Sequence, residues 1–265
     1  MLSQERHAII LEMLREHNIV KISDIAARFN ISNLTARRDV DTLQSQNLVR
    51  RIHGGAILVS PSAISTESPK AYRSTIHKEL RAIGKLAASL VQEGESLFVG
   101  NGSTTLAAAH YLRGMSSLTI LTSSLSAINE LVGTDNTLYA LGGYLDYNEL
   151  FFSGTFAQAM LEQFSVDKAI IGCGGISMGL GVLEYNPDGA NLHRTIVRNS
   201  SRTILVCSSS KFRNNALSIV CPLTDIDVLV TDENLSDVDR EKIRQLGIEL
   251  YLAPVHTPGD EEEAP

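Results

Sequence analysis

Lys21-Ile22-Ser23-Asp24-Ile25-Ala26-Ala27-Arg28-Phe29-Asn30-Ile31-Ser32-Asn33-Leu34-Thr35-Ala36-Arg37-Arg38-Asp39-Val40 reads as two short helices joined by a tight turn. Ser23 is placed to cap the first helix, its hydroxyl taking a free backbone N–H of the opening turn. Ile25 and Phe29 fall four apart and share one face. Asn30-Ile31-Ser32 breaks the run, and Ser32 offers a second cap. Ala36, Val40 and Leu43, at i, i+4 and i+7, give the second helix a buried stripe. Asn33, Thr35, Arg37 and Arg38 are left near its start and mostly off that stripe. A buried back and a polar, basic N-terminal end are what a helix needs to enter a major groove.

A solvated face explains the same residues if Arg37 pairs with Asp41, four positions on. The following residues tilt the balance. Leu48-Val49-Arg50-Arg51-Ile52-His53-Gly54-Gly55-Ala56-Ile57 has the pattern of a short β-ribbon with cations and a glycine bend. A basic ribbon beside a recognition helix is a wing that can lie along phosphates. Before the pair, Ser3 to about Glu16 forms a first helix with Ile9, Leu11, Met13 and Leu14 on its apolar side, closed by His17-Asn18. The expected head is therefore a winged helix–turn–helix over residues 1–58.

The net charge of −7 looks wrong for a nucleic-acid binder until it is divided. Residues 1–57 carry eight Lys/Arg against six Asp/Glu, and the remainder carries fifteen against twenty-four. A slightly basic head on an acidic body fits a small DNA-contacting unit. The 265 residues suffice for two domains, and 43% hydrophobic with 20% charged residues is ordinary for a soluble globular chain. No apolar run reaches membrane-spanning length, and the N-terminus lacks a signal-peptide pattern. Cys173, Cys207 and Cys221 are odd in number and without ligand-like spacing, so neither a disulfide framework nor a zinc site is expected. The cytoplasm is the default location.

Ser60-Pro61-Ser62-Ala63-Ile64-Ser65-Thr66-Glu67-Ser68-Pro69 is rich in turn formers, and residues 59–75 read as a linker. Residues 76–256 form the second domain, and 257–265 a disordered acidic tail. From His77 a helix runs through Leu80, Ile83, Leu86 and Leu90 and stops at Gly94. Strand-like runs then alternate with helices: Ser96–Val99, Leu118–Thr122, Thr137–Leu141, Lys168–Ile171, Thr203–Cys207 and Asp227–Val230 against Thr104–Leu112, Leu125–Leu131 and Thr155–Phe164. A last pair, Val238–Leu246 and Ile248–Leu252, follows. This alternation predicts a mainly parallel, open α/β sheet with covered faces.

Ligands of such sheets sit outside the carboxyl ends of the strands. The loops expected to converge there are Gly100-Asn101-Gly102-Ser103-Thr104-Thr105, Thr122-Ser123-Ser124, Gly142-Gly143, Gly172-Cys173-Gly174-Gly175 and Ser208-Ser209-Ser210-Lys211. Gly102-Ser103-Thr104-Thr105 is the best phosphate candidate, because glycine admits close approach and the following helix offers free N–H groups. Lys211 can add a positive charge, and His193 and Arg194 lie on a helix that can face the pocket. Turn chemistry and solvated faces explain these residues too. Gly172-Cys173-Gly174 lies on a late strand without a full glycine fingerprint, so a dinucleotide site is discounted. No catalytic constellation, cofactor or metal site stands out, and the domain reads as a binder.

At this point the chain resembles the DeoR family of transcriptional regulators. In the head the resemblance runs through Ile31-Ser32-Asn33-Leu34-Thr35-Ala36-Arg37-Arg38-Asp39-Val40 and Arg51-Ile52-His53-Gly54-Gly55-Ala56. In the body it covers Gly102-Ser103-Thr104-Thr105, Gly142-Gly143, Phe152-Ser153-Gly154, Ser209-Ser210-Lys211-Phe212 and Thr231-Asp232. It implies a sensor domain similar in fold to ribose-phosphate isomerases and CoA-transferase-like proteins. It also implies DNA contacts from Thr35, Arg37 and Arg38, with Arg51 and His53 near the wing. Lys21, Ser32, Asn33 and Arg50 complete the expected DNA-binding set. The expected effector set is Asn101, Gly102, Ser103, Thr104, Thr105, Ser123, Gly142, Gly143, His193, Arg194 and Lys211. The departures cluster in that pocket: Gly100 where an acid is usual, Ser123 for Asn, His193 for Lys and Ser208 for Asp. Read this way, the carboxylates that would hold sugar hydroxyls are missing while the phosphate cradle survives. Ala36 also replaces a larger aliphatic residue.

The expectation is a sequence-specific regulator, most often a repressor of a carbohydrate-utilisation operon, released from operator DNA by a phosphorylated sugar or related metabolite. It would act as a homo-oligomer, a dimer or tetramer. The alternatives are an isomerase- or acyl-CoA-transferase-like enzyme, with Glu184 or Asp188 as its base, and a regulator needing no effector.

Overall fold

The computed structural model describes residues 3–17, 19–45, 49–52, 55–58 and 78–255. The expected linker over 59–75, the tail over 257–265 and His53 lie outside these described residues. The chain divides into two units, Met1–Pro69 and Lys70–Pro265.

The first unit comprises α1 (Ser3–His17), β1 (Ile19–Lys21), α2 (Ile22–Phe29), α3 (Asn33–Ser45), β2 (Val49–Ile52) and β3 (Gly55–Leu58). Its strands form an antiparallel sheet in the order β1-β3-β2, with Arg50 opposite Ile57 and Arg51 opposite Ala56. The ribbon is thus present, and β1, too short to show a periodicity, adds a third strand. A side chain at Gly55 would put its Cβ 2.5 Å from the Val20 carbonyl, so β1 closes on β3 only across a glycine. This pairing also corrects the first cap. The ladder delivers the chain straight into α2, which starts at Ile22 behind Lys21 and has no side-chain cap. The Ser23 hydroxyl instead donates to Asp24.

Asn30, in the left-handed region (φ 50°), ends α2, and the Ile31 N–H and Asn30 N–H bond back to the Ala26 and Ala27 carbonyls. Ser32 caps α3 as expected, its Oγ accepting from the Thr35 N–H at 3.1 Å. Ala36, Val40 and Leu43 are buried with Ile22, Ile25 and Val49. In α1 the buried pair is Ile10 and Leu14, while Leu11 and Met13 pack partly against them. Ile10, omitted from the expected apolar side, is the residue four before Leu14 and so shares its face.

The second unit contains α4 (Lys78–Ala88), β4 (Ser96–Val99), α5 (Ser103–Leu112), β5 (Thr119–Thr122), α6 (Leu125–Leu131), β6 (Thr137–Ala140), β7 (Tyr144–Asp146), β8 (Phe151–Ser153), α7 (Gly154–Leu161), β9 (Val166–Ile171), β10 (Gly175–Ser177), β11 (Gly181–Glu184), α8 (Pro187–Arg198), β12 (Ser200–Val206), β13 (Ser218–Cys221), β14 (Val228–Asp232), α9 (Asp237–Gln245) and β15 (Glu249–Ala253). Seven strands form one parallel sheet in the order β15-β14-β12-β9-β4-β5-β6. Leu97, Val99, Ile170, Val206 and Val230 feed one core, and Phe98, Ala169, Ile171, Leu205 and Leu229 feed the other. Period-two alternation with both faces covered produces the continuous apolar runs read from the sequence.

Strand order reverses between β4 and β9: the chain moves outward through β5 and β6, then restarts at β9 on the other side of β4. Such a switch point opens a crevice at the carboxyl ends of the strands. The sequence reading missed the β7–β8 hairpin and the antiparallel β10-β11-β13 sheet, whose three- and four-residue strands are too short to establish a period. It also ran the first helix on to Gly94. That helix ends at Ala88, where the last turn tightens to bonds from Leu90 to Ala87 and from Val91 to Ala88.

Candidate DNA-contacting helix and effector site

In the first unit, Asn33, Leu34, Arg37 and Arg38 are exposed on α3 and Thr35 is half-buried. Among the described residues no hydrogen bond or ion pair holds the Arg37 or Arg38 guanidinium, and the Asp41 pairing considered for Arg37 does not form. Leu34, left out of the expected contacts, is 60% exposed on the same end. An apolar side chain there has a counterpart in the thymine methyl of a major groove. Lys21 is exposed at the end of β1. Arg50 and Arg51 lie on β2.

The orientation of α3 rests on a contact the sequence reading overlooked. Asp39 is buried on the back of the helix, where Arg6 Nε donates to it at 2.6 Å, Arg6 Nη2 at 2.9 Å, and His7 Nε2 sits 3.0 Å away. Burial alone would raise the Asp39 pKa, but the hydrogen bonds from Arg6 and His7 outweigh it and hold the carboxyl below its usual range. A charge amid Ala36, Val40 and Leu43 was the available signal, since a buried carboxylate needs a cation.

In the second unit, the loop after β4 forms one wall of the crevice. Gly102 (φ 120°) leads into α5, whose first turn carries exposed Ser103 and buried Thr104 and Thr105. The Thr105 hydroxyl donates back to the Gly102 carbonyl at 2.9 Å. Gly102, as the cap residue, has no side chain to bond the first-turn N–H groups, which are left available to an anion.

Opposite them the structure supplies the carboxylates that the loops lack. Asn101 Nδ2 donates to Glu149 Oε2 at 3.3 Å. Asp146 accepts from the Asn148 and Glu149 N–H groups and from Asn186 Nδ2, tying the β7–β8 turn to the cap of α8. Burial first, then repulsion from Glu184 and Asp146, pushes the Glu149 pKa up to about 7. Burial also raises Glu184, against the opposing pull of the Tyr185 N–H and Lys211. Lys211 Nζ lies 5.8 Å from the centroid of the Tyr185 ring. Asp232 supplies the acid behind Ser208, accepting from the Ser209 N–H and hydroxyl at 2.6 and 2.8 Å. The expectation of a pocket without carboxylates is therefore corrected. Glu149 and Glu184 arrive from the β7–β8 turn and from β11, segments distant in sequence from the loop that carries Asn101, while Asp232 on β14 is buried beneath the Ser209 loop.

His193 is enclosed on the sheet-facing side of α8, 1% exposed, and neither ring nitrogen has a hydrogen-bond partner. Its Nδ1 is 3.9 Å from Glu184 Oε2, beyond hydrogen-bond range. Burial lowers its pKa to about 4, so the ring is neutral. An unmade hydrogen bond at a buried polar group costs about 1–3 kcal/mol.

The other expected contacts separate from this group. Arg194 turns away, donating to the Val220 and Ile219 carbonyls and to Asn191 Oδ1. Gly143 (φ 145°) serves packing, since a Cβ there would sit 2.4 Å from the Ser153 carbonyl. Gly142 follows β6, two strands out from β4, whereas Ser123 stays beside the acidic turn: it is buried, its carbonyl accepts from the Phe152 N–H, and the Leu125 N–H donates to the carbonyl of Leu150, next to Glu149. Of the bases weighed for an enzyme, Asp188 is exposed in the first turn of α8 and Glu184 belongs to the acidic wall.

A model of the DeoR-like helix-turn-helix domain matches residues 6–62, and one of the DeoR C terminal sensor domain matches residues 76–233. The transcriptional repressor AccR of Agrobacterium fabrum is 32% identical over 249 residues, which is 92% of this chain and 96% of that protein. The glycerol-3-phosphate regulon repressor of Escherichia coli K12 is 32% identical over 229 residues, 86% of this chain and 90% of that one. Among solved structures, ribose 5 phosphate isomerase A from Neisseria gonorrhoeae is 18% identical, covers 51% of this chain and 54% of its own, and has a TM-score of 0.38. Domain models spanning both units, and relatives named as repressors along most of the chain, agree with an exposed basic helix and a sheet-end crevice: the chain belongs to the DeoR family of transcriptional regulators, and its sensor domain serves regulation rather than catalysis.

Proposed function

We propose that this regulator is a cytoplasmic repressor of a carbohydrate-related operon, released from its operator by a phosphorylated sugar or related metabolite bound in the crevice between β4 and β9. The observation that carries the reading is the pairing of chemistries at that crevice. Free N–H groups and Ser103 at the start of α5 suit a phosphate, while Asn101, Glu149 and Glu184 suit hydroxyl groups. The relative named for a glycerol-3-phosphate regulon is consistent with a phosphorylated effector. In the head, Arg37 and Arg38 would read bases, with Asn33 and Thr35 beside them. Lys21, Arg50 and Arg51 would neutralise phosphates, with His53 beside them near the wing. One helix reads too few base pairs for useful specificity, so the working form is a dimer or tetramer. The effector acts by binding the DNA-incompetent arrangement more tightly.

A thermal-shift screen of the full chain against sugar phosphates tests this. A ligand at a hundred times its Kd stabilises by about 2.7 kcal/mol. The expected hit is lost in Ser103→Ala and weakened in Lys211→Ala, and it lowers operator affinity. Arg37→Ala should lose about 1–3 kcal/mol of sequence discrimination while salt-sensitive binding persists. A hit that leaves operator affinity unchanged would refute the effector role.

A further inference from the structure

We infer that His193 sets which effectors the sensor accepts, reading an uncharged hydroxyl group of a phosphorylated polyol at the floor of the crevice, and that Gly100 is glycine to make room for that ring. The inference deepens the effector site proposed above and rests on it.

Three observations carry it. The first is the enclosed imidazole with two unpartnered nitrogens, in a fold where buried polar groups find partners. It lies against the switch-point loop, where an entering ligand would pass. The second is steric. A Cβ on Gly100 would stand 3.0 Å from His193 Nε2. Gly100 cannot retreat, because its N–H is held by the Ile170 carbonyl at 2.9 Å. A side chain at residue 100 would therefore press on the imidazole, and glycine leaves the ring its place.

The third is charge. Beside the ring stands Glu184, with Oε2 3.9 Å from Nδ1, and behind it Glu149, close enough to Glu184 to be repelled by it. The cation acting on Glu184, Lys211, lies over Tyr185. A carboxylate on the effector would meet two acids and an uncharged ring. A hydroxyl instead accepts from the ring N–H and donates to a glutamate oxygen, using both of its capacities. The end of the effector remote from its phosphate is therefore an alcohol and not an acid.

The test uses the full chain, matched pairs of alditol phosphates and aldonate phosphates with four to six carbons, and inorganic phosphate, followed by thermal shift and titration calorimetry. Wild type should bind the best alditol phosphate at least tenfold more tightly than its aldonate partner. His193→Gln should lose tenfold or more on the alditol phosphate with inorganic phosphate unaffected, and His193→Lys should reverse the preference. Gly100→Ala should weaken alditol phosphate binding as His193→Gln does, and the double variant should be no weaker than either. Circular dichroism of each variant identifies any that fails to fold, and His193→Asn then replaces it. Unchanged affinity and preference in folded His193→Gln, with binding still lost in Ser103→Ala, would overturn the inference and leave the effector site standing. A wild-type preference for aldonate phosphates would overturn it too. Silence of wild type towards every probe would overturn the effector site and the inference together.

Discussion

Replacing Asp39 with asparagine removes the charge that fastens α3 to α1. Breaking a fully buried ion pair by deleting one partner costs about 3–5 kcal/mol. Here the Arg6 and His7 side chains keep 13% and 14% exposure, so water can re-solvate both, and the amide keeps one acceptor. A loss of about 2 kcal/mol is expected, in the range for hydrogen bonds to charged groups. That corresponds to about a 30-fold fall in amide protection. The head has a small core of Ile10, Leu14, Val20, Ile22, Ile25, Ala36, Val40, Leu43, Val49 and Ala56, so the loss falls on a unit with little to spare.

Hydrogen exchange with mass spectrometry on the full chain reads the two units separately. Peptides of α1 and α3 should exchange faster, and peptides of β9 and β12 should not. The pH dependence gives a second check. The Asp39 pKa is lowered in the folded state, so its stabilisation is complete above the unfolded value of about 3.9 and fades as pH falls through the folded one. Wild-type protection in α3 should therefore converge on that of Asp39→Asn in acid. Equal protection of the two proteins at pH 7, or an equal loss in both units, would refute the reasoning.

Further outcomes follow from other contacts. Ser32→Ala should cost the head about 1 kcal/mol by removing the cap on the Thr35 N–H, read as faster exchange in the first turn of α3 and restored by Ser32→Asp. Gly84→Ala should lower the melting temperature. Its Cβ would lie 2.5 Å from the Ala107 backbone, and separating α4 from α5 costs about 1–3 kcal/mol, outweighing the helix-propensity gain of about 1 kcal/mol. Glu149→Gln should gain stability over wild type as pH rises from about 4.5 to 7 and hold that gain above. The wild-type carboxyl, with its folded pKa pushed up to about 7, must ionise across that window at the expense of the fold. A melting-temperature difference that is flat from pH 4.5 to 8 would contradict this.

Local periodicity carried most of the fold. The turn at Asn30, the Ser32 cap, the Ala36–Val40–Leu43 stripe and the alternation of apolar strands with helices were legible because each is set by residues within a few positions of one another. Chain segments that pair across long separations were not. β1 is three residues long and exists because β3 pairs with it across Gly55, and that pairing moved the start of α2 away from Ser23. The site divides the same way. The glycines and serines that follow the strands marked the end of the sheet where the switch-point crevice opens, because a parallel sheet brings its strand ends together whatever the sequence of the intervening helices. Which charges meet there was decided by tertiary structure alone: Glu149 and Glu184 come together from separate segments, and Arg194, beside His193 in the chain, leaves for the carbonyls of β13. Neighbours on a helix diverge by about 100° per residue, so sequence adjacency could not say which of the two would face the sheet.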